Sequence, residues 1–111
     1  MDMIQNQREV TDYFGYWPQF CDAKFTRFTF DKSGFIEATI FYIDVECSKQ
    51  AIITIEFSGV KAVKLNDFYS ENVIDEIAIT NKSPYKVTII ACYGLNGTFD
   101  CTGIEVTNVR T

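Results

Sequence analysis

The fold is decided by residues 35–57, which read FIEATIFYIDVECSKQAIITIEF. The first part, Phe35–Val45, places apolar side chains on both faces, as expected of a strand in the middle of a sheet. The last part, Ala51–Phe57, places four apolar residues on one face and a mixed set on the other, which is typical of a half-buried strand. Ser48-Lys49-Gln50 is a turn signal between them. We therefore predict two consecutive antiparallel strands.

The composition of the whole chain is that of a sheet protein. Thirteen Ile, eight Val and eleven Thr stand against two Leu in 111 residues, and β-branched residues favour pleated strands. Turn signals recur about every ten residues and separate further strands near Lys24–Asp31, near Val60–Leu65 and from about Asp75. Residues 71–80 also allow a helical turn, and we favour the strand.

A short helix is predicted near the N-terminus, with Gly15 as its expected stop. Its apolar face has the spacing i, i+3, i+4, i+7 and consists of Val10, Tyr13, Phe14 and Trp17. No linker, repeat or low-complexity stretch divides the chain. The predicted fold is α+β and mostly β: a single domain over residues 1–111, with one antiparallel sheet of about six or seven strands and the helix packed on one face.

A C-terminal hairpin is predicted from Asn96-Gly97, because both central residues of a type I′ turn need positive φ. With these two residues as the loop, Cys92 faces Cys101 in a non-hydrogen-bonded pair. Two interpretations stay open: a cross-strand disulfide or redox pair, and two reduced buried thiols, which we favour. The same register places Gly94 opposite Phe99, as an aromatic residue that covers a strand glycine.

The charge composition disfavours several classes of function. Ten basic and fifteen acidic residues give a net charge of −5, and the chain has no histidine. Nucleic acid and anionic membranes attract clustered Lys and Arg, so neither is an expected partner. Without histidine the chain has no Ser-His-Asp triad, no Cys-His pair and no His-ligated zinc. The four cysteines contain no CxxC spacing. We expect neither enzyme activity nor a cofactor or metal.

The sequence predicts neither a signal peptide nor a membrane-spanning segment. Residues 1–9 lack a basic segment leading into an apolar one, so no signal peptide is predicted. No apolar run reaches the roughly 18 residues needed to span a bilayer. These features predict a cytoplasmic protein with mostly reduced cysteines.

The negative charge is concentrated in the middle of the chain. Residues 35–79 hold eight acidic and three basic residues, which by themselves give −5. Two interpretations are open. In the first, the acids keep an aggregation-prone sheet solvated and protect its edges. In the second, they form a negative face that attracts and binds a basic partner.

Two motifs carry a resemblance to a known family. They are FGYWPQFCDA at residues 14–23 and ACYGLNGTFDC at residues 91–101. A GxWP-x-F-x-DA segment before the first strand and a YGLxGxF segment near the C-terminus are similar to the immunity protein 50 family of bacterial polymorphic-toxin systems. This resemblance touches most of the chain and implies a protein that neutralises a toxin by stoichiometric binding. The motif residues, structural or binding, are Trp17, Pro18, Phe20, Asp22, Tyr93, Gly94 and Gly97.

Three motif positions have more than one interpretation. For Trp17, packing on the sheet is favoured over a role as an exposed binding anchor. For Asp22, capping a turn is favoured over a catalytic carboxylate, because no second acid is identified as its partner. The chain departs from the family pattern at Cys21, where the family carries a histidine. In a thiol enzyme Cys21 would be the first candidate nucleophile.

The function predicted from these observations is an immunity protein that binds and neutralises a cognate, basic bacterial toxin through an acidic face. A homodimer through a sheet edge is a further expectation. The alternative is a small-ligand-binding β-rich module with an aromatic-lined pocket around Trp17, Tyr42 and Tyr93. The predicted partner-binding residues are Asp44, Glu46, Asp67, Tyr69, Glu71, Asp75 and Glu76.

Overall fold

The structure, a computed structural model, describes residues 4–111 of the chain. Those residues form one helix and eight strands in a single antiparallel sheet, with the spatial order β4-β7-β6-β5-β1-β2-β3-β8. In chain order the elements are α1 (Arg8–Phe14), β1 (Lys24–Asp31), β2 (Phe35–Asp44), β3 (Lys49–Ser58), β4 (Lys61–Asn66), β5 (Val73–Ile79), β6 (Tyr85–Tyr93), β7 (Asn96–Cys101) and β8 (Gly103–Arg110). The mostly β architecture with one antiparallel sheet and one short helix is confirmed, and β5 confirms the strand interpretation of residues 71–80. The expected strand number of six or seven is wrong, because these residues form eight.

The eighth strand arises at a bend, where β3 is separated from β4 and β7 is separated from β8. Before the bend, β3 pairs with β8 as far as Ser58. After the bend, β4 pairs with β7 from Lys61 onward, and both pairings are antiparallel. At the bend Gly59 has φ 63°, and a Cβ on it would lie 2.1 Å from Oγ1 of Thr102, so glycine is required there. The sequence predicts the break before β4 but not the break at Thr102. The bend folds the sheet into a first layer (β1, β2, β3, β8) and a second layer (β4, β7, β6, β5).

The hydrophobic core lies between the two layers. Phe57 of β3 meets Phe99 of β7 edge-on, with ring centroids 5.0 Å apart. Both are almost fully buried, as are Ile53 and Val106, and burying a side chain of this size contributes about 1.5–3 kcal/mol. A cavity lined by residues of both layers measures about 10 Å³, which is about the space of one water molecule.

The helix packs on the sheet through Val10 and Phe14, which are both buried. The Phe14 ring centroid lies 5.2 Å from that of Tyr42 on β2. The predicted stop at Gly15 is confirmed: its φ of 89° is left-handed and its N–H donates to the Thr11 oxygen at 2.7 Å. Among residues 4–111 no helix is long and apolar enough to cross a membrane.

The predicted register of the C-terminal hairpin is wrong. Asn96-Gly97 lies inside β7, and the pairing of β6 with β7 places Tyr85 opposite Cys101. A Cβ on Gly97 would lie 1.9 Å from the backbone oxygen of Lys64. Glycine is therefore required by the close approach of the neighbouring strand β4 and not by a tight turn.

The two residue pairs that this register predicted, Cys92 with Cys101 and Gly94 with Phe99, are wrong as well. Cys92 does not face Cys101, and all four cysteines, which lie within the described residues, are free thiols. Cys101 is buried whereas Cys92 is exposed, so the two do not form a buried pair. Phe99 faces Val87 and not Gly94.

Candidate partner-binding surface

The loop between β4 and β5 (residues 67–72) is held in shape by one buried asparagine. Asn72 is only 4% exposed. Its Oδ1 accepts hydrogen bonds from the N–H of Tyr69 at 3.1 Å and of Leu95 at 2.8 Å, and its Nδ2 donates to the Tyr69 oxygen at 2.9 Å. Its backbone oxygen accepts from the N–H of Phe25 at 3.0 Å. Asn72 therefore ties the loop to β1 and to the connection between β6 and β7.

Gly94, in the second motif, makes room for that asparagine. Its φ is 93°, and a Cβ on it would lie 2.3 Å from Oδ1 of Asn72 and 2.9 Å from the backbone oxygen of Glu71. Any side chain would displace the loop, which explains the glycine. Asn72 is the organising residue that sequence reasoning missed, because its partners are distant in sequence and leave no local pattern.

Two tyrosines form an exposed aromatic pair beside this contact. The ring centroids of Tyr69 and Tyr93 lie 5.2 Å apart, and the residues are 46% and 56% exposed. They meet because Tyr93, at the end of β6, pairs with Val73 at the start of β5. Phe68 is 57% exposed, and its ring centroid lies 6.1 Å from that of Phe28 on β1. Aromatic side chains presented by a fixed backbone are frequent anchors in protein interfaces.

Two acidic side chains of the loop flank Tyr69. Glu71 makes an ion pair with Lys24 of β1 at 3.7 Å, and both side chains are at least half exposed. Asp67 accepts a hydrogen bond from Nδ2 of Asn96 at 3.3 Å. Exposed pairs of this kind contribute little to stability, so both carboxylates can exchange their present partners for those of another protein at small cost.

Two further carboxylates meet beside β5. Asp22 and, less strongly, Asp75 raise the pKa of the Cys21 thiol, because their negative charges disfavour the thiolate. The N–H of Asp22 donates to the Ile74 oxygen at 2.8 Å and fixes this turn against β5. Neither carboxylate has a cationic partner among the described residues. The acidic–aromatic surface is defined here as Asp22, Asp67, Tyr69, Glu71, Asp75 and Tyr93.

Three predicted partner-binding acids lie elsewhere. Asp44 is 8% exposed, and its carboxylate accepts hydrogen bonds from the Tyr16 hydroxyl at 2.5 Å and the Cys47 N–H at 3.1 Å. These bonds, the Tyr16 bond foremost, lower the pKa of Asp44 below its usual value. Glu46 is exposed in the turn between β2 and β3, and Glu76 is half-buried on β5. Of the other predicted residues, Asp67, Tyr69 and Glu71 lie in the β4–β5 loop, and Asp75 lies on β5 next to the Asp22 turn.

The comparison with known families covers almost all of this architecture. The family model described as immunity protein 50 matches residues 6–111. The chain belongs to the immunity protein 50 family. The resemblance drawn from the two motifs is confirmed, and the matched region includes the whole acidic–aromatic surface. No curated protein and no solved structure matches the chain.

The first motif of this immunity protein 50 member is mainly a packing element. Pro18 and Phe20 are fully buried. Trp17 is half-buried and meets Phe20 edge-on at 5.8 Å between ring centroids, so it packs on the core instead of standing free. The Asp22 side chain is exposed, and the hydrogen bond that anchors this residue comes from its backbone N–H.

Of the three aromatic residues predicted to line a ligand pocket in this immunity protein 50 member, Trp17 and Tyr42 both contact the Phe20 ring, whereas Tyr93 contacts Tyr69. Trp17 lines a shallow groove along β5. The hydroxyl of Tyr42 lies 2.8 Å from that of Tyr16 at the other end of the first motif. Tyr93 stands beside Tyr69 on the surface. Within residues 4–111 the groove at Trp17 is lined by neither Tyr42 nor Tyr93, which gives the small-ligand alternative no geometric support.

The thiol of Cys21 is poorly suited to nucleophilic chemistry. The nucleophile is the thiolate, and the raised pKa caused by Asp22, desolvation and Asp75 lowers the thiolate fraction at neutral pH. Reactive cysteines lie in electropositive surroundings, and the surroundings here are acidic.

Proposed function

We propose that this protein neutralises a cognate bacterial toxin by binding it stoichiometrically through the acidic–aromatic surface. The observation that carries the proposal is the exposed Tyr69–Tyr93 pair, with Asp67 and Glu71 in the same loop as Tyr69, in a chain of the immunity protein 50 family. The protein acts in the cytoplasm by occluding the toxin and performs no chemistry of its own.

The tyrosines supply the anchors of the complex. Tyr69 and Tyr93 pack against apolar and cationic side chains of the toxin, where full desolvation of aromatic rings provides most of the binding energy. Asn72 supports this role, because it fixes the backbone of Tyr69 before the toxin arrives. A surface that is already ordered loses little conformational entropy on binding.

The carboxylates supply specificity and rapid association. Asp22 and Asp75, which lack cationic partners within the described chain, pair with Lys or Arg of a basic toxin. Glu71 exchanges Lys24 for a toxin cation, at small cost because the present pair is exposed. Where those toxin cations contact nucleic acid phosphates, the acidic–aromatic surface takes the place of the phosphates. Asp44 is omitted from the set because its carboxylate is engaged inside the domain.

Co-expression with the toxin encoded by the adjacent gene tests the proposal. The wild type should restore growth of cells that make the toxin, and the two proteins should elute as one complex in size-exclusion chromatography. Tyr69→Ala should weaken the complex on the order of 10- to 100-fold. The double variant Asp22→Asn/Asp75→Asn should weaken it about tenfold.

The matched control is Glu46→Gln, an exposed central acid outside the surface. It should bind like the wild type. Absence of both rescue and complex would refute the function. A complex that Glu46→Gln weakens as much as Tyr69→Ala does would leave the function standing and refute the assigned surface.

A further inference from the structure

One edge of β1 is unpaired over residues 27–31. On one side β1 pairs with β2 along almost its whole length. On the other side it meets β5 only at Lys24 opposite Val73, and no further described strand lies beside it. Alternate residues of such an edge direct N–H and C=O groups away from the sheet, where another strand can pair with them.

The sequence of this free edge is complementary to itself. Residues 27–31 read RFTFD. When two copies lie antiparallel with Thr29 opposite Thr29, Arg27 faces Asp31 and Phe28 faces Phe30. The two-fold axis repeats each contact. Opposite charges and aromatic pairs are both favourable cross-strand neighbours.

The apolar residues of this edge share the inner face. Phe28 and Phe30 line an open groove of about 480 Å³ together with Val63 and Leu65 of β4. Phe30 is 51% exposed, which is a large apolar area for a residue next to the core. A second copy brings its own Phe28 and Phe30 to the same place, so four rings become buried together.

The charged residues of the edge share the outer face and are free to pair. Arg27 is exposed, and within the described chain its guanidinium makes no ion pair. One oxygen of Asp31, Oδ1, accepts from the Ser33 N–H at 2.9 Å, which leaves Oδ2 available. The same bond lowers the pKa of Asp31, so the carboxylate is charged at neutral pH.

We propose that the protein forms a homodimer by antiparallel pairing of β1 with β1 of a second copy, centred on Thr29. The first layers of the two copies join into one continuous sheet, with both grooves on the same side. Because only one short strand from each copy meets, the interface is small, and the dissociation constant is on the order of 10–100 µM. This dimer goes beyond the proposed function and does not require the toxin.

Sedimentation equilibrium with charge-swap variants tests the proposal. The wild type should pass from monomer to dimer between about 1 µM and 1 mM. Arg27→Asp and Asp31→Arg each place like charges opposite each other twice, so each should weaken dimerisation about tenfold or more. The double variant Arg27→Asp/Asp31→Arg restores opposite charges in exchanged positions and should dimerise within about threefold of the wild type.

The control is Lys86→Glu, a charge reversal at an exposed position on β6, which should leave the dimer unchanged. Circular dichroism and thermal unfolding verify that each variant is folded. A wild type that stays monomeric up to about 1 mM would overturn the proposal. A dimer that tolerates both single reversals would overturn it too, since such a dimer uses another surface. So would a folded double variant that remains monomeric.

Discussion

The N–H of Leu95 donates to Oδ1 of Asn72 at 2.8 Å, in the buried part of the domain and across 23 residues of sequence. The same oxygen accepts from the N–H of Tyr69. One side chain therefore fixes both the β4–β5 loop and the connection between β6 and β7. Removing a buried amide of this kind is costly, because its partners are left without hydrogen bonds.

Asn72→Ala should lower the free energy of unfolding by about 2–4 kcal/mol, since the buried N–H of Leu95 and the partly buried N–H of Tyr69 lose their acceptor. Toxin affinity should fall as well, because Tyr69 is no longer fixed. Chemical denaturation measures the stability, and hydrogen exchange at Tyr69 and Leu95 locates the change. Asn108→Ala, at an exposed position on β8, is the control and should stay within about 0.5 kcal/mol of the wild type. Unchanged exchange at both amides in Asn72→Ala would contradict the role of this side chain.

Gly94→Ala and Gly15→Ala separate backbone strain from steric clash. Both glycines have similar left-handed φ angles, 93° and 89°, but a Cβ meets nothing within 4 Å at Gly15 and lies 2.3 Å from Asn72 at Gly94. Gly15→Ala should cost about 1–2 kcal/mol, the strain alone. Gly94→Ala should cost clearly more and also perturb the exchange of the β4–β5 loop. Equal losses of stability in denaturant titrations would contradict the clash.

The acid stability of the protein should depend on Asp44. Hydrogen bonds from Tyr16 and Cys47 favour its ionised form and lower its pKa. Its stabilising contribution is therefore complete above the pKa of the unfolded carboxyl, about 3.9, and is lost as pH falls through the lower folded pKa. Asp44→Asn should lower Tm at neutral pH, and the difference from the wild type should shrink below about pH 4. Glu46→Gln should change Tm little at any pH. A Tm difference for Asp44→Asn that stays constant down to about pH 2 would argue against this linkage.

Thiol labelling should distinguish Cys101 from the other cysteines. Cys101 is buried, and desolvation raises its pKa to about 11, whereas Cys21, Cys47 and Cys92 are exposed. Alkylation of the folded protein followed by mass spectrometry should therefore modify Cys101 last. After denaturation without reductant, four free thiols should be counted. A count of two would reveal a disulfide, and equal rates for Cys101 and Cys47 would contradict the burial.

Association with the toxin should slow as salt rises. Raising ionic strength from about 50 to 500 mM should reduce kon on the order of tenfold with a smaller effect on koff, because salt screens the long-range attraction. Asp22→Asn/Asp75→Asn should show a shallower salt dependence than the wild type, and Glu46→Gln the same dependence. Stopped-flow measurements give these slopes. Parallel slopes for the wild type and the double variant would contradict steering by these two acids.

Short-range patterns predicted much of the fold. β2 and β3 follow from the side-chain alternation within residues 35–57, and the end of α1 follows from the left-handed requirement at Gly15. The family follows from two motifs that each occupy about ten consecutive residues. All of these patterns involve residues that are close in sequence, so they can be recognised without the structure.

Contacts between distant strands explain what could not be predicted. Gly97 follows an asparagine, as in a hairpin turn. Glycine is nevertheless required there because the backbone oxygen of Lys64, on another strand, lies too close for any side chain. Asp44 is an acidic residue, a type that usually lies on the surface. Its carboxylate is instead held by a hydrogen bond from Tyr16, which lies in the segment after the helix. Asn72 has its partner Leu95 beyond two whole strands. In each case the decisive atom comes from a part of the chain that no local pattern indicates.

The long ladder between β3 and β8 governs when the sheet can close during synthesis. Ile55 pairs with Val106, and closing a loop of about fifty residues is slow compared with forming the local β1–β2–β3 meander. The meander can form on the ribosome, but the outer edge of β3 stays uncovered until β8 has been translated. A nascent chain therefore carries an apolar strand edge from the synthesis of β3 until that of β8. In the proposed function, protection of the cell begins only when that last strand has emerged and docked.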